Sequence, residues 1–204
     1  MISKKNLPPS LSDMQREIRG LIFDCDGTLA DTMPLHWIAW QRIAARHQLH
    51  FPEDRFYAMG GVPTRDILKM LCEEQGRQLD CLAVAKEKEE EYLPMLAHTQ
   101  PVESVVAIAR ENHGRLPMAV ASGGMKHVIT QVLEKLGIRH YFQAIVTSED
   151  VTRQKPAPDI FLEAARRIGV PPQHCRAFED TDLGIQAILA AGMEAVDIRH
   201  HTRK

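Results

Sequence analysis

At 204 residues, the chain is long enough for one domain with a sizeable core, or for a domain that carries a small insert. Hydrophobic residues make up 44% and charged residues 25%, which is the composition of a soluble globular protein. The formal net charge of −2, without a basic block or an apolar run of ~18 residues, argues against nucleic acid and membranes as partners.

The start of the chain and its cysteines bear on where the protein resides. Residues 1–9 are basic but lack the apolar segment of a signal peptide, and we interpret residues 1–17 as an extension without an assigned function. The four cysteines, at positions 25, 72, 81 and 175, form no Cys-x-x-Cys pair. They indicate reduced thiols rather than a disulfide framework or a zinc site, so we expect a cytoplasmic protein.

The first predicted element is a short buried strand that ends in two carboxylates. Residues 21–23 are apolar, Asp24 and Asp26 follow one residue apart, and Gly27 stops the strand. Because side chains alternate along a strand, the two aspartates share one side. Like charges held this close are costly unless a cation or a shared proton separates them. The stretch therefore predicts a ligand site, with a turn of two solvated aspartates as the alternative.

The next stretch of the chain is helical. Residues 33–97 contain helical patterns and no clear strand, which predicts a small helical cap inserted in an α/β core. Within it, Thr64 is a candidate N-cap for one helix. A charged helix is predicted over residues 82–96, and we interpret the charge run at 86–91 as a solvated helix face rather than a binding motif.

After the cap, four further short apolar strands alternate with helices. These strands are predicted at residues 118–121, 144–146, 176–178 and 194–198. Alternating strands and helices indicate a parallel sheet with helices on both faces. We therefore assign residues 18–32 and 98–204 to one α/β core that the cap interrupts.

Polar side chains follow several of these strands, so we expect them at one edge of the sheet. Ser122 stands before two glycines, in a turn that can present amide N–H groups to a phosphate, although helix capping is an equal alternative. Glu179 and Asp180 follow a later strand, and we interpret Asp182 as a helix cap. Lys155 precedes Pro-Ala-Pro, whose two prolines fix the backbone beside it.

Four of these stretches resemble the motifs of the haloacid dehalogenase superfamily of phosphotransferases. Residues 24–28, Asp-Cys-Asp-Gly-Thr, match its first motif residue for residue. Ser122 matches the second motif, Lys155 with Pro-Ala-Pro the third, and Glu179-Asp180 the fourth. The resemblance spans about residues 18–198 and is greatest to the β-phosphoglucomutase-like group, in particular to bacterial sugar phosphatases of the fructose-1-phosphate phosphatase type. It implies a doubly wound, Rossmann-like parallel sheet with an inserted helical cap.

The resemblance also implies how the site residues act. Asp24 is expected to be the nucleophile that forms an aspartyl-phosphate. Asp26 is expected to protonate the leaving alkoxide and then to activate water. Ser122 and Lys155 are expected to stabilise the transferring phosphoryl group.

A metal site is implied by the same motifs. The expected ligands are Asp24, Asp26 through its backbone carbonyl, Glu179 and Asp180, an all-oxygen set that suits Mg²⁺. The four carboxylates outweigh Mg²⁺ and Lys155 by one negative charge. We therefore expect Asp26 to be protonated when a phosphate dianion approaches.

Substrate choice is assigned to the cap. His36 and Trp40 reproduce a His-x-x-x-Trp pattern of the β-phosphoglucomutase-like group, and Arg65 lies one residue later than the cap arginine of the mutases. An aromatic beside hydrogen-bonding groups fits a sugar, and an arginine fits a second anion; a purely structural place in the cap is the alternative for Trp40. The expected partner is a small phosphorylated metabolite, such as a sugar phosphate.

Three functions remain in competition. The first is a Mg²⁺-dependent phosphatase of a small phosphosugar such as fructose 1-phosphate, and the second is a β-phosphoglucomutase, an isomerase. The third is a non-catalytic phosphate-sensing module, which the intact acidic set disfavours. The mutases carry Ser-x-Ser-Lys after the second core strand, whereas residues 122–125 here are Ser-Gly-Gly-Met, which favours the phosphatase.

Overall fold

The structure is a computed structural model that describes residues 17–202, so the predicted N-terminal extension lies outside the described residues except for Glu17. Within this range the strands are β1 (Gly20–Phe23), β2 (Ala30–Asp31), β3 (Gln100–Pro101), β4 (Met118–Ser122), β5 (Ala144–Thr147), β6 (Cys175–Glu179) and β7 (Glu194–Asp197). The α-helices are α1 (Met33–Arg46), α2 (Glu53–Ala58), α3 (Thr64–Gln75), α4 (Cys81–Tyr92), α5 (Glu103–Asn112), α6 (Lys126–Lys135), α7 (Asp159–Arg167), α8 (Asp182–Ala190) and α9 (Arg199–Thr202). In this part of the chain, no helix combines the length and the apolar character needed to span a membrane.

Five strands form one parallel sheet in the order β5-β4-β1-β6-β7. The first strand thus lies in the middle, and the chain winds outward to one edge through β4 and β5 and to the other through β6 and β7. This is the doubly wound topology that the resemblance implies, and it confirms the predicted fold class. The predicted core strands are all present, and their ends differ from the prediction by at most one residue.

Each face of the sheet has its own apolar core. Leu21 and Phe23 belong to a cluster that includes residues of α5 and α6, whereas Ile22 belongs to a cluster with residues of α7 and α8. Phe23 also stacks on Phe178 of β6, with ring centroids 4.7 Å apart. Because both faces are covered, β1 is buried at every position, which explains its unbroken apolar sequence.

The helices α1–α4 lie between β2 and β3 in the chain, and we call them the helical segment. It has its own apolar cluster, in which Trp40, Phe51 and Leu68 are buried. The strands β2 and β3 pair antiparallel, so the chain leaves for this segment and returns from it at adjacent points. A two-residue strand has no periodic pattern, and for this reason the sequence did not predict this pair.

Two predicted helix starts are wrong in detail. Helix α3 begins at Thr64 itself with Pro63 as its N-cap, and the Thr64 hydroxyl donates a hydrogen bond to Glu89 instead. Helix α8 is capped by Thr181, whose Oγ1 accepts a hydrogen bond from the Gly184 N–H. The interpretation of Asp182 as the cap is therefore wrong by one residue, because the hydroxyl of Thr181 already serves this helix end.

Candidate active site

The carboxyl ends of β1, β4 and β6 meet at one edge of the sheet, as predicted. The register aligns Phe23 with Val120 on one side and with Phe178 on the other. The residues that follow these positions therefore come together, and they include Asp24 and Glu179. Both are buried, with exposed fractions of 3% and 0%.

Lys155 reaches this edge from the loop before α7 and joins the two carboxylates. Its Nζ lies 2.7 Å from Asp24 Oδ1 and 2.7 Å from Glu179 Oε2. Burial opposes the positive charge of Lys155, but attraction to Asp24 and Glu179 outweighs it and raises the pKa of Lys155 above its usual value. Lys155 is thus a positively charged ammonium group that contacts Asp24, the nucleophile that the resemblance implies.

Asp24, Glu179 and Asp180 form a compact acidic cluster whose ligand oxygens all lie within 4.8 Å of one another. Burial raises the pKa of Asp24 well above its usual value, and repulsion from Glu179 adds to this effect. Burial, again with repulsion from Glu179, raises the pKa of Asp180 to about 7. One lysine does not balance three carboxylates, of which Asp24 and Glu179 are buried and Asp180 is half-buried, and the all-oxygen donor set fits a hard divalent cation such as Mg²⁺.

The glycine and the threonine of the first motif hold Asp180 against the turn after β1. The backbone of Gly27 has φ +86°, and a Cβ on this residue would overlap Asp180 Oδ2. Thr28 Oγ1 donates a hydrogen bond to Asp180 Oδ1 at 2.8 Å. Gly27 and Thr28 therefore position the carboxylate of Asp180, which lies 152 positions after Thr28 in the sequence.

Asp26 faces the helical segment rather than the acidic cluster. Thr32 Oγ1 donates to Asp26 Oδ1 at 2.7 Å, and His36 Nε2 lies 3.2 Å from the same oxygen. The other ring nitrogen, His36 Nδ1, lies 2.6 Å from Lys88 Nζ. An ammonium group only donates, so we assign Nδ1 as the acceptor and place the ring proton on Nε2, which donates to Asp26.

These contacts set the charge of Asp26. Burial opposes its ionisation, but hydrogen bonds from His36 and Thr32 lower its pKa to about 2. Asp26 is therefore ionised in the protein by itself, and its expected protonation beside Mg²⁺ and a phosphate dianion stays a prediction. Lys88 also lowers the pKa of Asp26 through its positive charge, which the count of four carboxylates, Mg²⁺ and Lys155 does not include. The carboxyl groups with raised pKa values are instead Asp24 and Asp180.

Two residues of the charge run on α4 face the site, so its interpretation as a solvated face is wrong for them. Lys88 and Glu89 are only 2% and 6% exposed. Glu89 Oε1 accepts hydrogen bonds from Thr64 Oγ1 at 3.2 Å and from Lys88 Nζ at 3.1 Å. A sequence signal for this did exist. Lys88 and Glu89 are spaced four residues after the buried pair Val84–Ala85, and so share its helix face.

A cavity of about 70 Å³ lies between the helical segment and the acidic edge of the sheet. Asp24, Asp26 and Ser122 line it from the sheet, and His36, Lys88 and Glu89 line it from the helices. The cavity thus brings together three of the predicted core residues and His36, and it adds Lys88 and Glu89, which the prediction missed.

The other two predicted cap residues have different places. Trp40 borders the cavity, but it is 2% exposed and packs edge-on against Phe51 at 4.9 Å, inside the core of the helical segment. Arg65 does not line the cavity. Its side chain is 48% exposed and pairs with the neighbouring Asp66.

The helical segment touches the sheet edge at a pair of glycine-containing loops. A Cβ on Gly123, in the turn after β4, would overlap the carbonyl oxygen of Gly61. In the same turn, Ser122 Oγ accepts a hydrogen bond from the Gly124 N–H at 3.1 Å and lies 3.4 Å from Asp26 Oδ2. The contact of Gly61 with Gly123 covers the cavity at this side.

Comparisons with known proteins show the family to which the chain belongs and agree with the fold. The sequence matches the model of the haloacid dehalogenase-like hydrolase family over residues 21–198. A fructose-1-phosphate phosphatase of Escherichia coli (strain K12) is 42% identical over 186 residues, which are 91% of this chain and 99% of that protein. A β-phosphoglucomutase of Bacillus subtilis (strain 168) is 30% identical over 190 residues, 89% of this chain and 83% of that one. Among solved structures, a β-phosphoglucomutase from Clostridium difficile superposes with a TM-score of 0.78 at 26% identity, covering 88% of this chain and 84% of that one.

Proposed function

Because the chain belongs to the haloacid dehalogenase-like hydrolase family, we propose that it hydrolyses a small phosphosugar through an aspartyl-phosphate intermediate. The observation that carries the proposal is the buried Asp24, held at 2.7 Å by the ammonium group of Lys155 inside an acidic cluster. The relative from Escherichia coli supports fructose 1-phosphate as the first substrate to test, because the similarity extends over nearly its whole length.

The proposed chemistry divides between the two aspartates. Lys155 binds Asp24 Oδ1, which leaves Oδ2 to attack phosphorus. A bond forms between this oxygen and phosphorus, the bond from phosphorus to the sugar oxygen breaks, and Asp26 gives the leaving oxygen a proton. Water then attacks the aspartyl-phosphate, Asp26 takes its proton, and phosphate leaves. Lys155 and Ser122 neutralise and orient the phosphoryl oxygens throughout.

The protonation of Asp26 must change between the two halves of this reaction. Ionised Asp26, the form supported by its pKa of about 2, is ready to act as the base toward water. For the first half it needs a proton. A phosphate dianion beside Asp26 raises the pKa of this carboxyl by like-charge repulsion and so favours proton uptake when substrate is in place.

We propose Mg²⁺ as the cofactor, with the carboxylates of Asp24 and Asp180 and the backbone carbonyl of Asp26 as ligands. Bound there, the cation would neutralise charge on the transferring phosphoryl group. Glu179 was the fourth expected ligand. Its Oε1 already accepts hydrogen bonds from Asp180 and Thr181, and its Oε2 pairs with Lys155. We expect Glu179 to hold Lys155 in place and to matter less for metal affinity than Asp180.

We further propose that residues 33–97 are a substrate-selecting cap and that residues 18–32 and 98–204 are the catalytic core. The pairing of β2 with β3 supports this division, because it joins the two parts at one narrow connection. His36 would act mainly through Asp26, and Trp40 would shape the wall of the cavity. Arg65 would need to move in order to reach a bound substrate, since its side chain lies outside the cavity.

The alternative function is a β-phosphoglucomutase, which the similarity to two such enzymes supports. The turn Ser122-Gly123-Gly124-Met125 lacks the serine and lysine that grip a second phosphate in the mutases, so we favour the phosphatase. The test is phosphate release from a panel of hexose monophosphates with Mg²⁺, beside conversion of β-glucose 1-phosphate primed with the bisphosphate. We expect release without efficient isomerisation. Efficient isomerisation with negligible release would establish the mutase, and inactivity in both assays would support a sensing module.

A further inference from the structure

We propose that Glu89 is a specificity-determining residue, whose carboxylate accepts hydrogen bonds from substrate hydroxyl groups and rejects a second anionic group. The inference rests on the proposed phosphatase function and deepens it. In this role, Glu89 favours sugar monophosphates that carry no charge apart from the phosphate. It disfavours sugar bisphosphates and phosphate esters that carry a carboxylate.

The first observation is the position of Glu89. It lies on α4, is 6% exposed, and lines the same cavity as Asp24 and Ser122, from the wall that the helical segment contributes. When the phosphoryl group of an intact substrate lies against Asp24, the sugar to which it is still bonded extends into this cavity. The carboxylate of Glu89 therefore meets the sugar and not the transferred phosphate.

The second observation is the hydrogen-bonding state of this carboxylate. Thr64 Oγ1 and Lys88 Nζ both bind Oε1, which fixes the orientation of the group. Among the described residues, Oε2 has no hydrogen-bond donor. Oε2 is not among the buried polar atoms without a partner, so it is accessible, and Glu89 lines the cavity, where a sugar hydroxyl can donate to it.

The third observation is the charge of the cavity wall. Of the described residues that line the cavity, Lys88 is the single lysine or arginine. Its ammonium group is already held by Glu89 at 3.1 Å and by His36 Nδ1 at 2.6 Å, and it lies 5.2 Å from the centre of the Tyr92 ring. Arg65, the expected partner for a second anion, lies outside the cavity. A second phosphoryl group on the substrate would thus lie near the carboxylate of Glu89, with no lysine or arginine among the described lining residues available to pair with it.

The test compares kcat/KM for fructose 1-phosphate and fructose 1,6-bisphosphate in the wild type, Glu89→Gln and Glu90→Gln. Glutamine keeps the shape and an oxygen acceptor but removes the charge. Glu90, the next residue, is exposed and serves as the matched control. We expect the ratio of bisphosphate to monophosphate kcat/KM to rise at least about tenfold in Glu89→Gln and to stay unchanged in Glu90→Gln.

Glu89→Ala is the second variant, and it separates charge from hydrogen bonding. It removes the charge, so the ratio must rise again, and it removes the acceptor, so KM for the monophosphate must rise more than in Glu89→Gln. Thermal unfolding of each variant shows that the fold is kept. An unchanged ratio in both Glu89 variants would overturn the role of Glu89 alone. A wild type that releases no phosphate from any sugar phosphate would overturn the proposed function with it.

Discussion

His36 Nε2 lies 3.2 Å from Asp26 Oδ1, so a residue of the helical segment hydrogen-bonds the proposed acid–base of the sheet edge. The opposite side of the same ring contacts Lys88 on α4. The ring also stacks on Tyr92, with centroids 3.8 Å apart, which fixes its plane. The position of the helical segment and the charge of Asp26 are therefore coupled through one imidazole ring.

Replacing His36 by alanine tests this coupling. The hydrogen bond that stabilises ionised Asp26 is lost, so we expect the pKa of Asp26 to rise. The pH–rate profile of kcat should then shift toward higher pH. The kcat for a sugar phosphate should fall by about tenfold or more. For p-nitrophenyl phosphate the fall should be smaller, because its leaving group departs without a proton.

The matched control is His47→Ala. His47 ends the same helix, α1, but it pairs with Glu87 and does not line the cavity. The His47→Ala substitution should leave the pH–rate profile of kcat unchanged. If His36→Ala lowers kcat equally for both substrates without moving the profile, His36 has a structural role only.

The nucleophile is tested by Asp24→Asn. The amide keeps the shape of the side chain and removes the attacking charge, so we expect phosphate release to fall at least about 10³-fold. Circular dichroism should show an intact fold. The unfolding temperature should not fall, since the change removes a charge that burial disfavours first and repulsion from Glu179 second. Turnover that survives the substitution would indicate direct attack by water on the substrate.

The sequence predicted the strands and the acidic edge because both depend on local signals. Residues 21–23 are an apolar run with both faces buried, and Asp24 follows it directly. Composition and spacing alone predicted a parallel sheet but not its strand order. That order depends on which helices cover which face, and it came from the resemblance.

The environment of Asp26 could not be predicted in the same way, because it depends on contacts between distant parts of the chain. Lys88 lies 52 positions from His36, with which it shares a hydrogen bond. In the sequence, Lys88 stands in a run of charged residues, where most side chains do face solvent. Only the packing of α4 against α1 turns its ammonium group toward the cavity.

The acidic cluster should make the metal-free protein sensitive to pH. The pKa of Asp180 is about 7 in the folded chain, against 3.8 when unperturbed. Between these values the folded chain holds a proton that the unfolded chain has released. The free energy of unfolding in excess chelator should therefore fall as the pH rises from about 4 to 7, by a few kcal/mol at most. Asp24 contributes with the same sign, because its pKa is also raised.

Asp180→Asn should reduce this pH dependence, as measured by urea unfolding at a series of pH values. At pH 8, Mg²⁺ should stabilise the wild type clearly and the variant weakly. Asp182→Asn, at a side chain that is 79% exposed, is the control and should behave like the wild type. If the unfolding free energy depends on pH equally in the wild type and Asp180→Asn, and Mg²⁺ stabilises both equally, Asp180 is not part of the proposed metal site.

The contact between Gly123 and Gly61 predicts that closure of the helical segment is needed for turnover. In Gly123→Ala the new methyl group would overlap the Gly61 carbonyl oxygen. This oxygen belongs to the backbone, so the overlap cannot be relieved by rotating a side chain, and the two loops must move apart. We expect kcat/KM for a sugar phosphate to fall by about tenfold or more, because water is no longer excluded and the cap no longer positions the sugar. Stability should change little, since the loops can separate.

Gly137→Ala is the control with the opposite expected pattern. Gly137 has φ +70° and open space around it, so alanine there should cost about 1 kcal/mol of stability and leave activity unchanged. Activity is measured as phosphate release and stability by thermal unfolding of both variants. Full activity in Gly123→Ala would mean that substrate is turned over with the segment held away from the sheet edge. In that case the contact seen between Gly61 and Gly123 is not part of the catalytic cycle.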